Sequence, residues 1–89
     1  MDWSAYVITS EARGSTYVGI ALDVERRVAE HNGLAPGGAR STRGGRPWLL
    51  AATFGPYASR SEAQRAEYQI KRLRGAERLC WGGLESSAG

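Results

Sequence analysis

Trp3-Ser4-Ala5-Tyr6-Val7-Ile8-Thr9 and Thr16-Tyr17-Val18-Gly19-Ile20 are two runs of aromatic and β-branched residues on either side of the polar segment Ser10–Ser15. Such residues suit a pleated, half-buried surface, and the turn-forming stretch Ala12–Gly14 joins the two runs as a β-hairpin. A register that sets Tyr6 opposite Gly19 and Ile8 opposite Tyr17 sends both tyrosines out of one face. A slip of one residue would send them to opposite faces, so the register decides whether the two phenols can share a site.

Downstream of the hairpin, Asp23 is placed to cap a helix running to about Asn32, with Glu25 in the first turn where a negative charge suits the helix dipole. Val24 and Val28 form its inward stripe, and Arg27 and His31 lie along the flank of that stripe, one turn apart. Asn32-Gly33 ends the helix. Gly33 to Pro47 reads as a Gly- and Arg-rich loop, too poor in apolar residues to be core, with Arg40, Arg43 and Arg46 at intervals of three. Trp48-Leu49-Leu50-Ala51-Ala52-Thr53-Phe54 is a continuous apolar run that predicts a third, central strand stopped by Gly55-Pro56. Ser59 with Glu62 fits a capping box. Ala63, Ala66, Ile70 and Leu73 then recur at helical spacing up to Gly75, which suits a C′ position. A last short helix is expected from Ala76 to Trp81, and the residues from 84 to 89 read as a frayed tail after a single domain spanning 1–83.

The 89 residues allow one small domain, and a hydrophobic share of 42% with three Trp and four Tyr argues for a packed core rather than disorder. One Cys excludes a disulfide framework and any Cys-based zinc site. Asp2 and the lack of a cationic start argue against a secretory leader, and no apolar run approaches the ~20 residues of a membrane span. The expectation is an unprocessed, soluble, cytoplasmic chain. Net charge is +3, and all twelve basic residues except Lys71 are Arg. An Arg-dominated surface suits phosphate, because the guanidinium presents a planar fork of donors.

Glu67 lies four residues after Ala63 and three before Ile70, within or beside the apolar stripe of its helix. Burying a carboxylate without a partner is costly, so either a cation meets it, an arginine or a metal ion, or the side chain snorkels out at the edge of the stripe. His31 by itself reads as a solvent-exposed histidine in the last helical turn, favoured there by the dipole. Arg27, Tyr6 and Tyr17 taken singly read as a surface cation and ordinary strand aromatics.

Taken in order, these elements resemble the GIY-YIG nucleases. Ser4-Ala5-Tyr6 and Tyr17-Val18-Gly19 stand at the two name-giving motifs. Asp23-Val24-Glu25-Arg26-Arg27 and His31-Asn32 come next, and Ala66-Glu67-Tyr68-Gln69-Ile70-Lys71 follows the third strand. Gly37-Gly38-Ala39, Thr42-Arg43, Arg46-Pro47-Trp48 and the spacing to Glu67 are most similar to the small stand-alone bacterial members, the YhbQ-like group. They are also similar to the nuclease domain of structure-selective endonucleases. Ser4-Ala5 replaces the usual Gly-Ile but keeps strand character, and Val18 stands for Ile.

The resemblance implies an α/β chain of the α+β kind, a small three-stranded antiparallel sheet flanked by helices. It implies that Glu67 holds a single divalent ion, Mg²⁺ or Mn²⁺, that Arg27 braces the scissile phosphate, and that Tyr6 and Tyr17 position or deprotonate the attacking water. His31 matches a position that some members use for proton handling or phosphate contact. Hydrolysis of a phosphodiester needs an activated water and neutralisation of charge on the phosphate oxygens, which suits that division of labour. The implied function is a metal-dependent DNA endonuclease acting on branched or single-stranded DNA in a repair setting, with RNA as a further substrate class. The alternative is a nucleic-acid-binding module that cleaves slowly or not at all. The structure-selective relatives carry a zinc-binding RING module that one Cys cannot build. Substrate choice is therefore expected to rest on Arg40, Arg43 and Arg46 or on a protein partner.

Overall fold

The computed structural model describes residues 2–83; the expected frayed tail lies outside them. Three strands, β1 (Trp3–Ser10), β2 (Thr16–Ala21) and β3 (Trp48–Tyr57), form one antiparallel sheet in the order β2-β1-β3. Helix α1 (Val24–His31) follows the hairpin and α2 (Arg60–Lys71) follows β3, and short 3-10 helices cover Arg40–Gly45 and Gly75–Cys80. The hairpin register sets Tyr6 opposite Gly19 and Ile8 opposite Tyr17, the pairing that puts both tyrosines on one face, and not its one-residue slip.

The sheet buries both faces of β1. Ala5 and Val7 join Val18, Ala66 and Ile70 under α2, while Tyr6 and Ile8 point the other way, toward Val24, Val28, Tyr17 and Trp48. Asp23 caps α1 by accepting from Arg26 N at 3.1 Å, and Ser59 caps α2 by accepting from Glu62 N at 3.2 Å. Ala63, Ala66 and Ile70 have no solvent exposure, which makes α2 the helix that closes the apolar half of the molecule.

Several expectations are corrected. The central strand is β1, and β3 is an edge. A continuous apolar run suggests burial on both faces, yet Leu49 and Leu50 keep 49% and 43% of their surface exposed. Gly55-Pro56 does not stop β3, which runs on to Tyr57; a residue without an N–H is tolerated there because an edge strand leaves donors unpaired. Helix α2 ends at Lys71 with Arg72 as its C-cap, and Gly75, at φ +51°, opens the second 3-10 helix instead of closing α2. That last element ends at Cys80 rather than Trp81. The Gly33–Pro47 connection is also more than a loop, because it holds the buried residues Thr42 and Gly45.

Candidate active site

Three elements bring Tyr6, Tyr17, Arg27 and His31 together. The hairpin presents both tyrosines on one face, and α1 packs Val24 and Val28 onto that face, so its last turn carries His31 between them. The Tyr6 hydroxyl lies 2.7 Å from His31 Nε2, and the Tyr17 ring meets the imidazole edge-on with centroids 4.9 Å apart. Gly19 is required by this arrangement: a Cβ there would lie 2.5 Å from the Tyr6 hydroxyl oxygen, because the phenol crosses directly over it.

His31 is therefore not the exposed terminal histidine that its helix position suggests. It has no solvent exposure, and Nδ1 lies 3.0 Å from Thr42 Oγ1. Burial, with the Arg27 charge nearby and a smaller push from Arg46, lowers its pKa from 6.5 to about 4, and Glu30 only partly opposes this. The imidazole is neutral at pH 7. Tyr6 is 1% exposed, and burial together with the neighbouring Tyr17 raises its pKa to about 12, against the hydrogen bond and positive charge of Arg27.

Arg27 is pinned rather than mobile. Its Nη1 donates to Glu30 Oε1 and to the Gly37 carbonyl, both at 2.7 Å, which orients the guanidinium beside the Tyr6 phenol and raises its own pKa. The same contact holds the Glu30 carboxyl below its usual range. Both protons of Nη1 are thereby used, and the donors of the fork that are not turned to the Tyr6 phenol remain for a ligand.

Glu67 reaches solvent at the edge of its helix's apolar stripe. Its side chain is about one-quarter exposed and pairs with Lys71 Nζ at 3.3 Å, so the cation that meets it comes from the next turn of its own helix and not from an arginine. It joins the tyrosines through space only, adding a negative field that raises the Tyr6 pKa slightly. Among the described residues no three His, Cys, Asp or Glu side chains cluster as a ready-made metal site.

The three loop arginines are all exposed, but not alike. Arg40 and Arg43 form no salt bridge among the described residues, whereas Arg46 Nε donates to the His31 carbonyl at 2.7 Å. Arg43 and Arg46 line an open cleft of about 460 Å³ whose other wall includes Glu30, Gly33 and Leu34. The cleft thus adjoins the carboxylate that anchors Arg27.

Sequence reasoning missed Thr42, Asn32 and Trp48 as parts of the site. Asn32 ties the end of α1 to the start of β3: its Oδ1 accepts from Trp48 N at 2.6 Å, and its Nδ2 donates to Trp48 O at 2.9 Å. Asn32 was legible as a helix terminator and as part of the His31-Asn32 element, but not as the tie to β3. Thr42 and Trp48 belong to the stretches that carry the family resemblance, but the segment around Thr42 has no apolar periodicity to show that it is buried against His31.

The chain matches the GIY-YIG catalytic domain over residues 2–79. It belongs to that family. Among its relatives, a UPF0213 protein of Halobacterium salinarum is 49% identical over 65 residues, covering 73% of this chain and 80% of the relative. A UPF0213 protein of Xanthomonas axonopodis pv. citri is 42% identical over 79 residues, covering 89% of this chain and 74% of the relative. The solution NMR structure of the UPF0213 protein BH0048 from Bacillus halodurans is 35% identical. It covers 88% of this chain and 79% of that one, with a TM-score of 0.49. Within the matched range, Tyr6 and Tyr17 are the residues of the two hairpin strands that lie against His31. No helix among the described residues is long and apolar enough to cross a membrane.

Proposed function

We propose that the chain is a metal-dependent endonuclease that hydrolyses phosphodiester bonds in DNA, with branched or single-stranded DNA as its targets. The observation that carries this reading is the Tyr6–His31 couple beside a pinned Arg27. A phenol that needs about pH 12 to ionise is a poor free base. It can still take a proton from water if its own proton leaves at the same time, and His31 Nε2 stands 2.7 Å away to receive it. Arg27, oriented by Glu30 and Gly37, offers its remaining donors to the non-bridging phosphate oxygens, where charge grows during attack. Tyr17, edge-on to the imidazole, orients the water or the phosphate from the other side. Arg40 and Arg43 are placed to hold the backbone, and Arg43 with Arg46 does so along the adjoining cleft.

Glu67 is the residue that would hold a divalent ion. One carboxylate suits Mg²⁺ or Mn²⁺, which keeps most of its waters and takes phosphate oxygens as further ligands. When bound, such an ion supplies charge neutralisation at the phosphate and assistance to the leaving oxygen. Glu67 is accessible for that role and its Lys71 partner is 54% exposed, so the pair can open at little cost. The same pair favours the second reading, a nucleic-acid-binding module in which Glu67 serves only its helix. A protein partner remains the proposed source of any finer targeting.

A cleavage panel with Mg²⁺ and Mn²⁺ across duplex, single-stranded, flap and four-way-junction DNA, with RNA alongside, separates the two readings. The nuclease reading expects cleavage of at least one substrate. It also expects Arg27→Ala to lower turnover on the order of 10²-fold or more while DNA binding weakens far less, since an interaction made mainly in the transition state appears in rate. Binding without cleavage on every substrate would select the module. Equal losses of rate and affinity would reduce Arg27 to a phosphate anchor.

A further inference from the structure

The 39–48 segment is rich in Gly and Arg, yet it holds a threonine with no solvent exposure. The main chain of Thr42 is fixed from both sides: its N–H donates to Ala39 O at 3.1 Å, and its carbonyl accepts from Trp48 Nε1 at 2.6 Å. Trp48 is in turn paired with Asn32, the residue after His31. Gly45 is part of the same fit, because any Cβ there would collide with the Trp48 indole.

A hydroxyl carries one proton. That of Thr42 is committed to the Ala39 carbonyl at 2.7 Å, shorter than its approach to His31. A carbonyl has no proton to return, so Thr42 Oγ1 meets His31 Nδ1 as an acceptor. A neutral imidazole has a single N–H, and with that proton on Nδ1 the Nε2 atom is a bare lone pair. The 2.7 Å hydrogen bond with Tyr6 then has one possible direction, with the phenol donating.

We infer that Thr42 is a positioning residue that locks His31 in its Nδ1–H tautomer and thereby opens the path from the Tyr6 hydroxyl to Nε2. The inference rests on the nuclease reading only for its catalytic consequence. In the opposite tautomer Nε2–H would donate to Tyr6 and the phenol could no longer pass its proton inward. The groups facing the imidazole are Tyr6 from β1, Tyr17 from β2, Arg27 and Glu30 from α1, and Thr42 and Arg46 from the connection. Of these, Thr42 alone bonds Nδ1.

His31 is the one histidine in the chain, so a long-range ¹H–¹⁵N spectrum of the uniformly ¹⁵N-labelled full chain near neutral pH reads its tautomer without assignment. The expected wild-type pattern is a protonated Nδ1 and an unprotonated Nε2. Thr42→Val keeps the shape and removes the acceptor. It should populate the Nε2–H form and lower turnover on the order of 10²-fold, with KM held, on whichever DNA the wild type cuts. Thr42→Ser should restore both tautomer and rate. An Nε2–H imidazole in the wild type overturns the assignment, and so does a Thr42→Val protein that keeps only the Nδ1–H form. Should Thr42→Val fail to fold, the wild-type spectrum alone decides. Absence of cleavage in the wild type would remove the nuclease reading and leave the tautomer result standing, so the two failures are distinguishable.

Discussion

Acid should destabilise this protein well before its carboxylates titrate, because its single histidine is buried in the neutral form. His31 has a folded pKa of about 4 against an ordinary 6.5. Between those values the unfolded chain binds a proton that the folded chain does not, so stability rises with pH there and falls as pH drops from about 6.5 toward 4. At 1.36 kcal/mol per pKa unit, the shift corresponds to about 3 kcal/mol in full, of which roughly 1.4 is lost by about pH 5.5. Glu30, whose folded pKa is lowered by Arg27, loses its contribution only as pH falls below the ordinary carboxylate value of 4.5, so above about pH 5.5 the histidine acts without it. Urea denaturation followed by tryptophan fluorescence at about pH 7.5, 6.5 and 5.5 measures the slope. His31→Gln removes the titrating group and should flatten it, whatever the variant's absolute stability. A wild-type stability that stays level from about pH 7 to 5.5, or a histidine that titrates near 6.5 by NMR, would refute the burial argument.

Three further outcomes follow from the geometry. Glu67→Gln gives up only a half-exposed partner, Lys71, so its stability should stay within about 0.5 kcal/mol of wild type. It should still bind DNA but neither cleave it nor gain thermal stability from Mn²⁺, and near wild-type cleavage would remove Glu67 from the metal assignment. Arg40→Ala with Arg43→Ala should flatten the log–log salt dependence of duplex binding by about 0.9 for each phosphate that is no longer neutralised, and an unchanged slope would leave that segment as scaffold only. Gly19→Ala forces a Cβ against the Tyr6 phenol and should cost about 1–3 kcal/mol by denaturation while displacing the Tyr6 hydroxyl from His31; a variant as stable and active as wild type would contradict the close approach.

How much of this was legible in the sequence depends on whether a local pattern or a long-range interaction set each feature. The hairpin followed from its two β-prone runs and the turn between them, but its register did not, because a slip of one residue fits the same runs; the observed pairing is what gives Tyr6 and Tyr17 a shared face. The stripe of α2 followed from spacing, since Ala63, Ala66 and Ile70 are its buried side chains. The place of β3 in the sheet did not follow, because a run such as Trp48–Phe54 reads the same for a central strand and for an edge whose leucines stay partly exposed. The burial of His31 escaped for a different reason. One turn of helix fixes which flank it lies on, but Thr42, which bonds its ring, lies 11 residues away in a segment with no apolar signal and is itself held by Trp48 from the start of β3. Glu67 was legible in part: its spacing put it within or beside the stripe, and the side chain takes the outer course, toward Lys71 and solvent.

The two faces of β1 divide the tasks of the fold. Under α2 the packing is apolar and the side chains small or branched, the pattern expected where burial alone must hold the chain together. On the other face a phenol, an imidazole and a hydroxyl are buried together, a costly choice if stability were the only requirement. The cost is contained because every buried side-chain nitrogen and oxygen among the described residues has a hydrogen-bond partner. The partners come from α1, the 3-10 turn at Arg40–Gly45 and the first residue of β3, which makes that Gly- and Arg-rich connection a wall of the site. A chain that only had to fold could fill this space with leucine and valine. Keeping a neutral histidine between a tyrosine and a threonine, with an arginine fixed at its edge, is the arrangement that the proposed proton transfer would need.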